Sequence, residues 1–478
     1  LKVAAEICED LWTPNPPSVC HAMHGATVIV NLSASDEVTG KDSYRRDLVK
    51  IQSGRLVCGY IYASAGEGES STDLVFGGHH LIAENGSVLA ESERFTNETI
   101  YGDLDIERLV GERRHYTTYD VIADADGYIE VEYEMASADA AFDRYVDKAP
   151  FVPGRKEERE KRCEEILAIQ SMGLKKRMEH THCKSVVIGI SGGLDSTLAL
   201  LVAARAVDRL NLPRTCITAV TMPCFGTTDR TYNNACELTR RLGAQLREVD
   251  IKEAVNIHFR DIGHDSSVHD VTYENSQARE RTQILMDVAN QTCGMVIGTG
   301  DMSELALGWA TYNGDHMSMY GVNVSVPKTL VRHLVRYYAD TCGDEELSAI
   351  LLDILDTPVS PELLPPENGT ISQKTEDLVG PYELHDFYLY YMLRFGFAPD
   401  KIFYLAKQAF AGEYDDEIIL KWLKTFMRRF FAQQFKRSCL PDGPKVGTVA
   451  VSPRGDLRMP SDACAKLWLD SLEKINLS

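Results

Sequence analysis

Residues 185–203 read SVVIGISGGLDSTLALLVA, and this stretch decides the fold of the larger part of the chain. Its first apolar run is typical of a buried strand, and its second is typical of a helix. Between the two runs, Ser191, Gly192 and Gly193 predict a tight turn, and Asp195 follows as the helix opens. Glycines let backbone N–H groups approach an anion, and a helix N-terminus adds partial positive charge. The stretch therefore predicts a phosphate-binding loop.

The polar residues of this loop indicate how a phosphate would be held. Ser191, Ser196 and Thr197 carry hydroxyl groups that can donate to phosphate oxygens. The carboxylate of Asp195 would be repelled by a bare pyrophosphate, so its presence indicates a Mg²⁺ bridge. The alternative is an ordinary strand-to-helix turn in which Asp and Ser cap the helix. The loop is not a Walker A motif, because no Lys precedes the Ser/Thr, and it lacks the G-x-G-x-x-G pattern.

Around the loop, strand patterns alternate with helix patterns. A charged helix is predicted at 156–178 before the loop, and strands are predicted at 215–223 and 244–251 after it. The segment 233–243 between those two strands has a helical pattern. Such alternation predicts an α/β fold, a doubly wound parallel sheet with helices on both faces. After about residue 330 the chain is predicted to be mainly helical.

The N-terminal part has a different pattern, short strands broken by turns. The segments KVAAEI at 2–7, TVIVNLS at 27–33 and YIYASA at 60–65 are apolar or β-branched runs of strand length. Asn85-Gly86 lies between two further apolar runs, and this dipeptide predicts a hairpin because both turn positions need positive φ.

With 478 residues, the chain is too long for one ordinary domain. We assign residues 1–115 to a first domain and 156–478 to a second. Residues 116–155, rich in acidic and small residues and ending near Pro150 and Pro153, are assigned to a linker.

The composition excludes several classes of function. The chain has 44% hydrophobic and 25% charged residues and no apolar run of bilayer length, so a soluble globular protein is expected. Its net charge of −21 argues against general nucleic-acid binding. Its twelve cysteines include no C-x-x-C pair, so we expect no zinc site, no redox dithiol, and reduced thiols in the cytoplasm. Because the first residue is Leu1 and a strand pattern follows at once, we expect the sequence to start inside a domain.

Two segments of the second domain carry a family resemblance. The SGGLDST loop resembles that of the PP-loop ATP pyrophosphatases, with an adenine nucleotide alpha-hydrolase-like fold, whose members split ATP into AMP and pyrophosphate. Residues 297–329, IGTGDMSELALGWATYNGDHMSMYGVNVSVPKT, resemble the GTxxxxExxxG…PKT region of NAD synthetases, in particular of the long, glutamine-dependent form.

The resemblance implies a set of substrate contacts. Mg²⁺ is implied at Asp195 and Glu304; without the resemblance, Glu304 would be interpreted as part of a solvated helix face. Trp309 and Tyr312 are implied to lie beside the nicotinate ring, with simple core packing as the alternative. The implied ATP contacts are Ser191, Gly192, Gly193, Leu194, Asp195, Ser196, Thr197, Leu198, Thr299 and Lys328. The implied contacts to deamido-NAD are Asn275, Arg279, Glu304, Trp309, Ala310, Thr311, Tyr312 and Lys436.

Near the N-terminus, the segment EICEDLW at 6–12 resembles the cysteine turn of the nitrilase superfamily, which uses a Glu–Lys–Cys triad. The resemblance implies that Cys8 attacks the side-chain amide of glutamine, forms a thioester and releases ammonia. A cysteine after a strand is otherwise a core residue, but the NLSAS and AGEGESSTD segments favour the catalytic interpretation. Ser35 and Lys41 match positions that hold glutamine.

The first domain is accordingly expected to be the second half of an α+β nitrilase-type sandwich. The superfamily's glutamate and lysine precede the cysteine, and no residue here matches them, so we expect an incomplete glutaminase. His21 and His24 are interpreted as packing or surface residues rather than metal ligands.

The implied activity is ATP-dependent amidation of deamido-NAD through an acyl-adenylate, in a homo-oligomer with an internal ammonia tunnel. One alternative is another PP-loop amidotransferase, making GMP or asparagine, although such enzymes lack the GTGDMSELALGWATY…PKT region. The other alternative is a non-catalytic, nucleotide-binding scaffold.

Overall fold

The computed structural model describes residues 1–69, 72–122, 127–135, 142–357, 363–364 and 375–477. The chain divides into two compact units. The first unit comprises Leu1–Val146 and Phe395–Phe397, and the second comprises Asp147–Arg394 and Ala398–Ser478. Parts of the assigned linker, 123–126 and 136–141, lie outside the described residues. Within the described ranges, no helix is long and apolar enough to cross a membrane.

The first unit is built on a five-stranded sheet with the order β1-β2-β3-β4-β5. The first three strands are parallel, and the last two pair antiparallel as a hairpin. The predicted strands and hairpin are confirmed, and the hairpin turn has the positive φ angles it requires, 44° at Asn85 and 82° at Gly86. The strands are β1 Val3–Ile7, β2 Val28–Ser33, β3 Gly59–Ser64, β4 Leu81–Glu84 and β5 Ser87–Glu91.

Helices in this unit were not predicted from the sequence pattern. They are α1 Pro17–Met23, α2 Lys41–Arg55 and α3 Ile106–His115, together with a 3₁₀ turn at Cys8–Trp12. In α2 the buried residues are Arg45, Val49, Gln52 and Ser53, three of them polar. A helix that buries polar side chains lacks the apolar periodicity on which the prediction depended. Arg45 is buried because Glu37 Oε1 lies 2.7 Å from its guanidinium.

The second unit contains a five-stranded parallel sheet with the order β10-β9-β6-β7-β8. The predicted doubly wound architecture is confirmed. The strands are β6 Ser185–Gly189, β7 Ile217–Thr221, β8 Gln245–Glu248, β9 Gly294–Gly298 and β10 Tyr320–Gly321. The helices are α4 Lys156–Thr181, α5 Leu194–Arg209, α6 Asp229–Arg241, α7 Lys252–Ile262, α8 Val271–Gln291, α9 Met302–Leu307, α10 Lys328–Thr341 and α11 Glu345–Leu355. The C-terminal part adds α12 Thr375–Val379, α13 Tyr382–Phe395, α14 Pro399–Ala409, α15 Asp416–Ala432, α16 Gln434–Arg437 and α17 Lys466–Glu473.

The boundaries of α6 differ from those predicted. This helix begins at Asp229, four residues before the predicted start at 233, because the hydroxyl of Thr228 accepts from the N–H of Thr231 and caps it. The capping residue lies outside the apolar pattern, so the pattern located the helix but not its first turn.

Strand β6 lies at the centre of the core. Val186 and Ile188 pack on one face of the sheet, and Val187 packs on the other, with all three fully buried. Because successive side chains of a strand point to opposite faces, this run needs helices on both sides. The strand therefore holds the start of the following loop in a fixed position.

The loop after β6 depends on glycine at one position. Gly192 has a φ of +84°, and a Cβ there would lie 2.1 Å from the carbonyl oxygen of Thr231. We expect Gly192→Ala to lower the free energy of unfolding by about 2 kcal/mol or more, since strained backbone alone costs about 1–3 kcal/mol. Urea unfolding measures this difference. Gly447→Ala is the control, because its Cβ would meet open space; equal stability of the two variants would contradict the steric account.

Candidate functional site

The phosphate-binding motif lies at the carboxyl end of β6, where α5 begins. The Ser191 hydroxyl accepts from the Gly193 N–H at 3.2 Å and lies 3.2 Å from the Ser196 hydroxyl. Ser196 in turn donates to the Gly193 carbonyl at 3.1 Å. The turn is thus held by its own hydroxyl groups, while the first N–H groups of a helix have no intrahelical acceptors and remain available to an anion.

Asn323 joins this loop to the neighbouring loop after β9. Its side-chain NH₂ donates to the carbonyl of Asp195 at 3.0 Å and to the carbonyl of Thr299 at 2.9 Å. Its side-chain oxygen accepts from Gln170 at 3.0 Å. Asn323 is fully buried, so this connection is protected from water. The carboxyl ends of β6 and β9 are therefore held together by one amide.

Four charged side chains meet beside these loops. The Lys328 ammonium lies 2.6 Å from Asp195 Oδ2, 2.7 Å from Asp301 Oδ2 and 2.8 Å from Glu304 Oε1. Lys328 is 2% exposed and Asp301 is fully buried, whereas the side chains of Asp195 and Glu304 are about one-fifth exposed. One ammonium thus forms ion pairs with three carboxylates, and two of these carboxylates are partly exposed.

The electrostatics of this charge cluster follow from burial. Burial raises the pKa of Glu304 to about 7, with Lys328 opposing the shift and Asp195 adding to it. Burial likewise raises the pKa of Asp301 well above its ordinary value, against the attraction of Lys328. Burial opposes the charge of Lys328, but the three carboxylates together raise its pKa well above the ordinary range. Such perturbed groups at the carboxyl edge of a parallel sheet are typical of a functional site.

The residues present fit a divalent metal ion. Asp195, Asp301 and Glu304 each offer a carboxylate oxygen, and these oxygens lie within 4.8 Å of one another. Asp195 Oδ1 and Asp301 Oδ2 are buried and accept no hydrogen bond from the described residues; the Lys328 ammonium is near Asp301 Oδ2 but outside hydrogen-bonding geometry. Hard oxygen ligands of this kind suit Mg²⁺.

Asp301 was missed by the sequence analysis, although the sequence carried a signal for it. It lies three residues after the end of β9 and caps α9, because its Oδ1 accepts from the Glu304 N–H at 2.9 Å. An Asp three residues before a Glu at the start of a helix is a capping pattern. That pattern places Asp301 and Glu304 on the same turn.

The residues implied for deamido-NAD lie together around the chain that follows α9. Thr311 donates to Asn275 Oδ1 at 2.7 Å, and Arg279 Nε donates to the Tyr312 carbonyl at 3.4 Å. The Lys436 ammonium donates to the carbonyls of Gly308 at 2.8 Å and Ala310 at 2.6 Å. Helices α8 and α16 therefore contact the same strip, Gly308–Tyr312.

The two aromatic residues of this strip have different surroundings. Trp309 is partly buried, and the guanidinium of Arg429 lies 5.2 Å from its ring centroid. Tyr312 is 43% exposed, with the His316 ring stacked at 5.3 Å. The Phe435 ring also lies 5.4 Å from the Tyr312 ring, so Tyr312 is only partly exposed, and Trp309 contributes to packing.

Some of the residues implied to contact ATP could do so only through their backbone groups, because their side chains are buried. The side chains of Leu194 and Leu198 belong to the hydrophobic core, and the buried Thr197 hydroxyl has no hydrogen-bond partner within the described part of the chain. The carbonyl of Thr299 accepts from Asn323. In contrast, Ser191 is exposed and Gly193 and Asp195 are half-buried at the loop.

In the first unit, Cys8 occupies a sharp turn at the end of β1. Its φ is +50°, which is unusual for a side chain other than Gly. Asn31 clamps the turn: it accepts from the Cys8 N–H at 3.0 Å and donates to the Cys8 carbonyl at 3.3 Å. The Ser33 hydroxyl lies 3.6 Å from the Cys8 sulfur. A strained, bracketed cysteine that is half-exposed has the geometry of a nucleophile rather than of a core residue.

The residues implied to hold glutamine lie further along the first unit. Ser35 is buried and accepts from Arg45 at 3.3 Å. The Lys41 ammonium lies 2.7 Å from Asp36 Oδ1 and 5.6 Å from the ring centroid of Trp12. Lys41 is thus beside the Cys8–Trp12 turn, whereas no hydrogen bond among the described residues joins Ser35 to Cys8. Two serines of the AGEGESSTD segment, at 70 and 71, lie outside the described residues.

His21 and His24 take part in packing. His21 Nδ1 lies 2.8 Å from the Tyr128 hydroxyl, and the His24 ring lies 4.5 Å from the Tyr128 ring.

Comparison with known proteins assigns both units to described families. Residues 166–405 match the family model described as NAD synthase, and residues 1–114 match the model described as carbon-nitrogen hydrolase. The chain therefore combines a nitrilase-type hydrolase with a PP-loop NAD synthase. This combination of domains defines a ligase that takes its nitrogen from an amide. It belongs to the family of glutamine-dependent NAD(+) synthetases.

Individual relatives support this membership. The chain is 44% identical to the glutamine-dependent NAD(+) synthetase of Mycobacterium leprae (strain TN), over 99% of this chain and 75% of the relative. It is 28% identical to the protein of the same name from Aquifex aeolicus (strain VF5), over 96% of this chain and 74% of the relative. The crystal structure of a glutamine-dependent NAD(+) synthetase from Cytophaga hutchinsonii has the same fold, with a TM-score of 0.55 at 20% identity, over 99% of this chain and 73% of that chain.

Replacing the cation of the charge cluster tests whether these carboxylates hold a metal ion. Lys328→Met leaves Asp195, Asp301 and Glu304 facing one another without a counter-charge, so we expect a loss of about 3–5 kcal/mol in metal-free buffer. Mg²⁺ should then raise the unfolding temperature of this variant more than that of the wild type, because the ion takes the place of the ammonium. Thermal unfolding with and without Mg²⁺ gives both values.

The matched control is Lys407→Met, which breaks the surface ion pair between Lys407 and Asp416. Exposed pairs contribute about 0–1 kcal/mol. If both variants were equally stable, or if Mg²⁺ stabilised Lys328→Met no more than the wild type, the cluster would not be a cation site.

Proposed function

We propose that this chain makes NAD by amidating deamido-NAD, with ATP bound at the loop after β6. We propose further that Cys8 is the nucleophile that releases ammonia from glutamine when the glutamate and lysine of the nitrilase triad are also present. The observation that carries the proposal is the charge cluster of Lys328 with Asp195, Asp301 and Glu304 beside that loop. Family membership supplies the identity of the substrates, and the cluster supplies the chemistry that the reaction needs.

The reaction has two steps at the synthase site. An oxygen of the nicotinate carboxylate attacks the α-phosphorus of ATP, and the bond to the β-phosphate oxygen breaks, so that pyrophosphate leaves. Ammonia then attacks the carbonyl carbon of the acyl-adenylate, the bond to the AMP oxygen breaks, and a proton leaves the nitrogen. The products are NAD, AMP and pyrophosphate.

Most of the acceleration of the first step is expected from charge stabilisation. Held by Asp195, Asp301 and Glu304, a Mg²⁺ ion would neutralise charge on the pyrophosphate. The N–H groups at the start of α5 bind the phosphate oxygens, and the Lys328 ammonium keeps positive charge beside them. Because the loop is braced by Ser191, Ser196 and Asn323, these donors need no rearrangement when the substrate arrives.

Deamido-NAD is proposed to bind along the strip Gly308–Tyr312. The exposed ring of Tyr312 covers the nicotinate, and Arg279 and Lys436 supply positive charge to its phosphates and carboxylate. Burial lowers the pKa of Lys436, and the nearby Arg429 adds to this effect. An acidic substrate would offset that repulsion.

Ammonia is proposed to come from the first unit. The Cys8 sulfur attacks the carboxamide carbon of glutamine, the carbon–nitrogen bond breaks, and the nitrogen takes up the thiol proton and leaves as ammonia. Water then hydrolyses the thioester to glutamate and restores the thiol. Ser35 and Lys41 are proposed to hold the glutamine. A homo-oligomer and a cytoplasmic location complete the proposal, both on the basis of the resemblance.

Paired substitutions, made in a chain that also carries the glutamate and lysine of the triad, test the division of labour. Cys8→Ala should abolish NAD formation from glutamine while sparing NAD formation from ammonium salts. Asp195→Asn should lower both rates by about 10²-fold or more, the scale of electrostatic stabilisation in active sites. Rates of NAD and pyrophosphate formation are measured with deamido-NAD, ATP and each nitrogen donor.

Cys20→Ala is the control, because Cys20 is a free, exposed thiol of the same unit. Glutamine-dependent synthesis that persists in Cys8→Ala would refute the assignment of the nucleophile. ATP binding without pyrophosphate release in the wild type would instead favour the non-catalytic scaffold.

A second pair of substitutions tests the deamido-NAD site. Asn275→Ala and Lys436→Ala should raise the KM for deamido-NAD by about 10-fold or more and change that for ATP far less, since a lost charged hydrogen bond costs about 1.5–3 kcal/mol. Steady-state kinetics with each substrate varied in turn gives both values. Lys421→Ala, which removes an exposed lysine from α15, is the control. A selective rise in the KM for ATP would contradict the assignment.

A further inference from the structure

Asp386, on α13, is a buried carboxylate that the proposed mechanism does not use. Its side chain is 1% exposed, and both oxygens are occupied. Oδ1 accepts from the hydroxyl of Ser303, and Oδ2 accepts from the N–H of Thr329 at 3.0 Å and from its hydroxyl at 2.6 Å. A buried carboxylate with so many donors is held in one orientation.

The two partners of Asp386 are the second residues of two different helices. Ser303 is in the first turn of α9, next to Glu304, and Thr329 is in the first turn of α10, next to Lys328. A negative charge is favoured at a helix N-terminus, and here one carboxylate serves two of them. Asp386 therefore connects the helix that carries Glu304 to the helix that carries Lys328.

Another hydrogen bond closes the connection into a ring. The N–H of Lys328 donates to the hydroxyl oxygen of Ser303 at 2.8 Å, while that hydroxyl donates to Asp386. The first turns of α9 and α10 are thus linked directly and through Asp386. Removing the carboxylate would leave three donors without this acceptor, and the link between the two turns would then depend on the Lys328–Ser303 bond.

Helix α13 contacts the charge cluster at a second point. Tyr382 lies one turn before Asp386, and the Lys328 ammonium lies 5.3 Å from its ring centroid. The ring faces the cation while the carboxylate holds the backbone, so a single helix constrains both ends of Lys328.

We propose that Asp386 is a positioning residue which, by fixing α9 and α10 against each other, sets the separation of Lys328 and Glu304 and hence the metal affinity of the cluster. The inference deepens the proposed function and rests on it for the metal-binding role of the carboxylates. Asp386 touches neither substrate nor metal ion in this account; it acts through Ser303 and Thr329.

The test measures Mn²⁺ binding, by electron paramagnetic resonance, together with kcat, KM and thermal unfolding. Asp386→Ala should weaken Mn²⁺ binding by about 10–100-fold, the usual effect of removing an outer partner of metal ligands. Its kcat should fall by a similar factor, with a smaller change in the KM for ATP. Asp386→Asn keeps one carbonyl acceptor and should give intermediate values for Mn²⁺ affinity and for kcat.

The matched control is Tyr388→Phe, which removes a buried hydrogen bond from the same helix, to the Ile419 carbonyl at 2.9 Å, without touching α9 or α10. It should lower the unfolding temperature and leave Mn²⁺ affinity at the wild-type value. If Asp386→Ala fails to fold, Thr329→Val replaces it, since this variant loses only the hydroxyl donor; a smaller loss of Mn²⁺ affinity is then expected.

The Asp195→Asn variant distinguishes a failure of the metal assignment from a failure of the positioning role of Asp386. If it binds Mn²⁺ weakly while both Asp386→Ala and Thr329→Val behave like Tyr388→Phe, the metal site stands and the positioning role of Asp386 is refuted. Wild-type Mn²⁺ affinity in Asp195→Asn would overturn the metal assignment, and this inference with it.

Discussion

The ammonium of Lys328 among the carboxylates of Asp195, Asp301 and Glu304 is the interaction on which the second unit depends. These residues come from the starts of three helices, α5, α9 and α10, and Asp301 caps the second of them. Bringing three like charges together is unfavourable unless a cation lies between them. The cluster is therefore unfavourable without its ammonium, and its three carboxylates offer oxygen ligands that a metal ion could use.

The surrounding structure keeps this charge cluster in place with neutral groups. Gly192 lets the loop approach the Thr231 backbone, and Asn323 ties the loops after β6 and β9. In the first unit a comparable arrangement surrounds Cys8, where Asn31 brackets a strained turn. In both cases a side-chain amide satisfies the backbone that a tight turn leaves unpaired, so the reactive side chain is free for its substrate.

Much of the fold and of the candidate site could be predicted from the sequence, for reasons that differ between residues. The strand–glycine–helix pattern predicted the loop because β6 is apolar on both faces and Gly192 needs positive φ. Only the family resemblance placed Asn275, Thr311 and Lys436 at one site. These residues lie far apart in the sequence, and no local pattern indicates that they come together. Helix α2 was missed because three of its four buried residues, Arg45, Gln52 and Ser53, are polar. Asp386 could not be found from the sequence, because its role depends on two helix starts that only the tertiary fold brings together.

Asn323 has a consequence for how this position can vary during evolution. Its amide uses two N–H groups on two carbonyls, and its oxygen accepts from Gln170. Asp offers no donor, Ser and Thr offer one, and Gln places its amide one methylene too far out. The His side chain lacks the reach for all three partners, and Lys and Arg lack a hydrogen-bond acceptor. No other natural side chain reproduces these three bonds, so position 323 should show no accepted replacement across enzymes that keep this loop geometry, and its variants should be lost to selection even though the residue never meets a substrate.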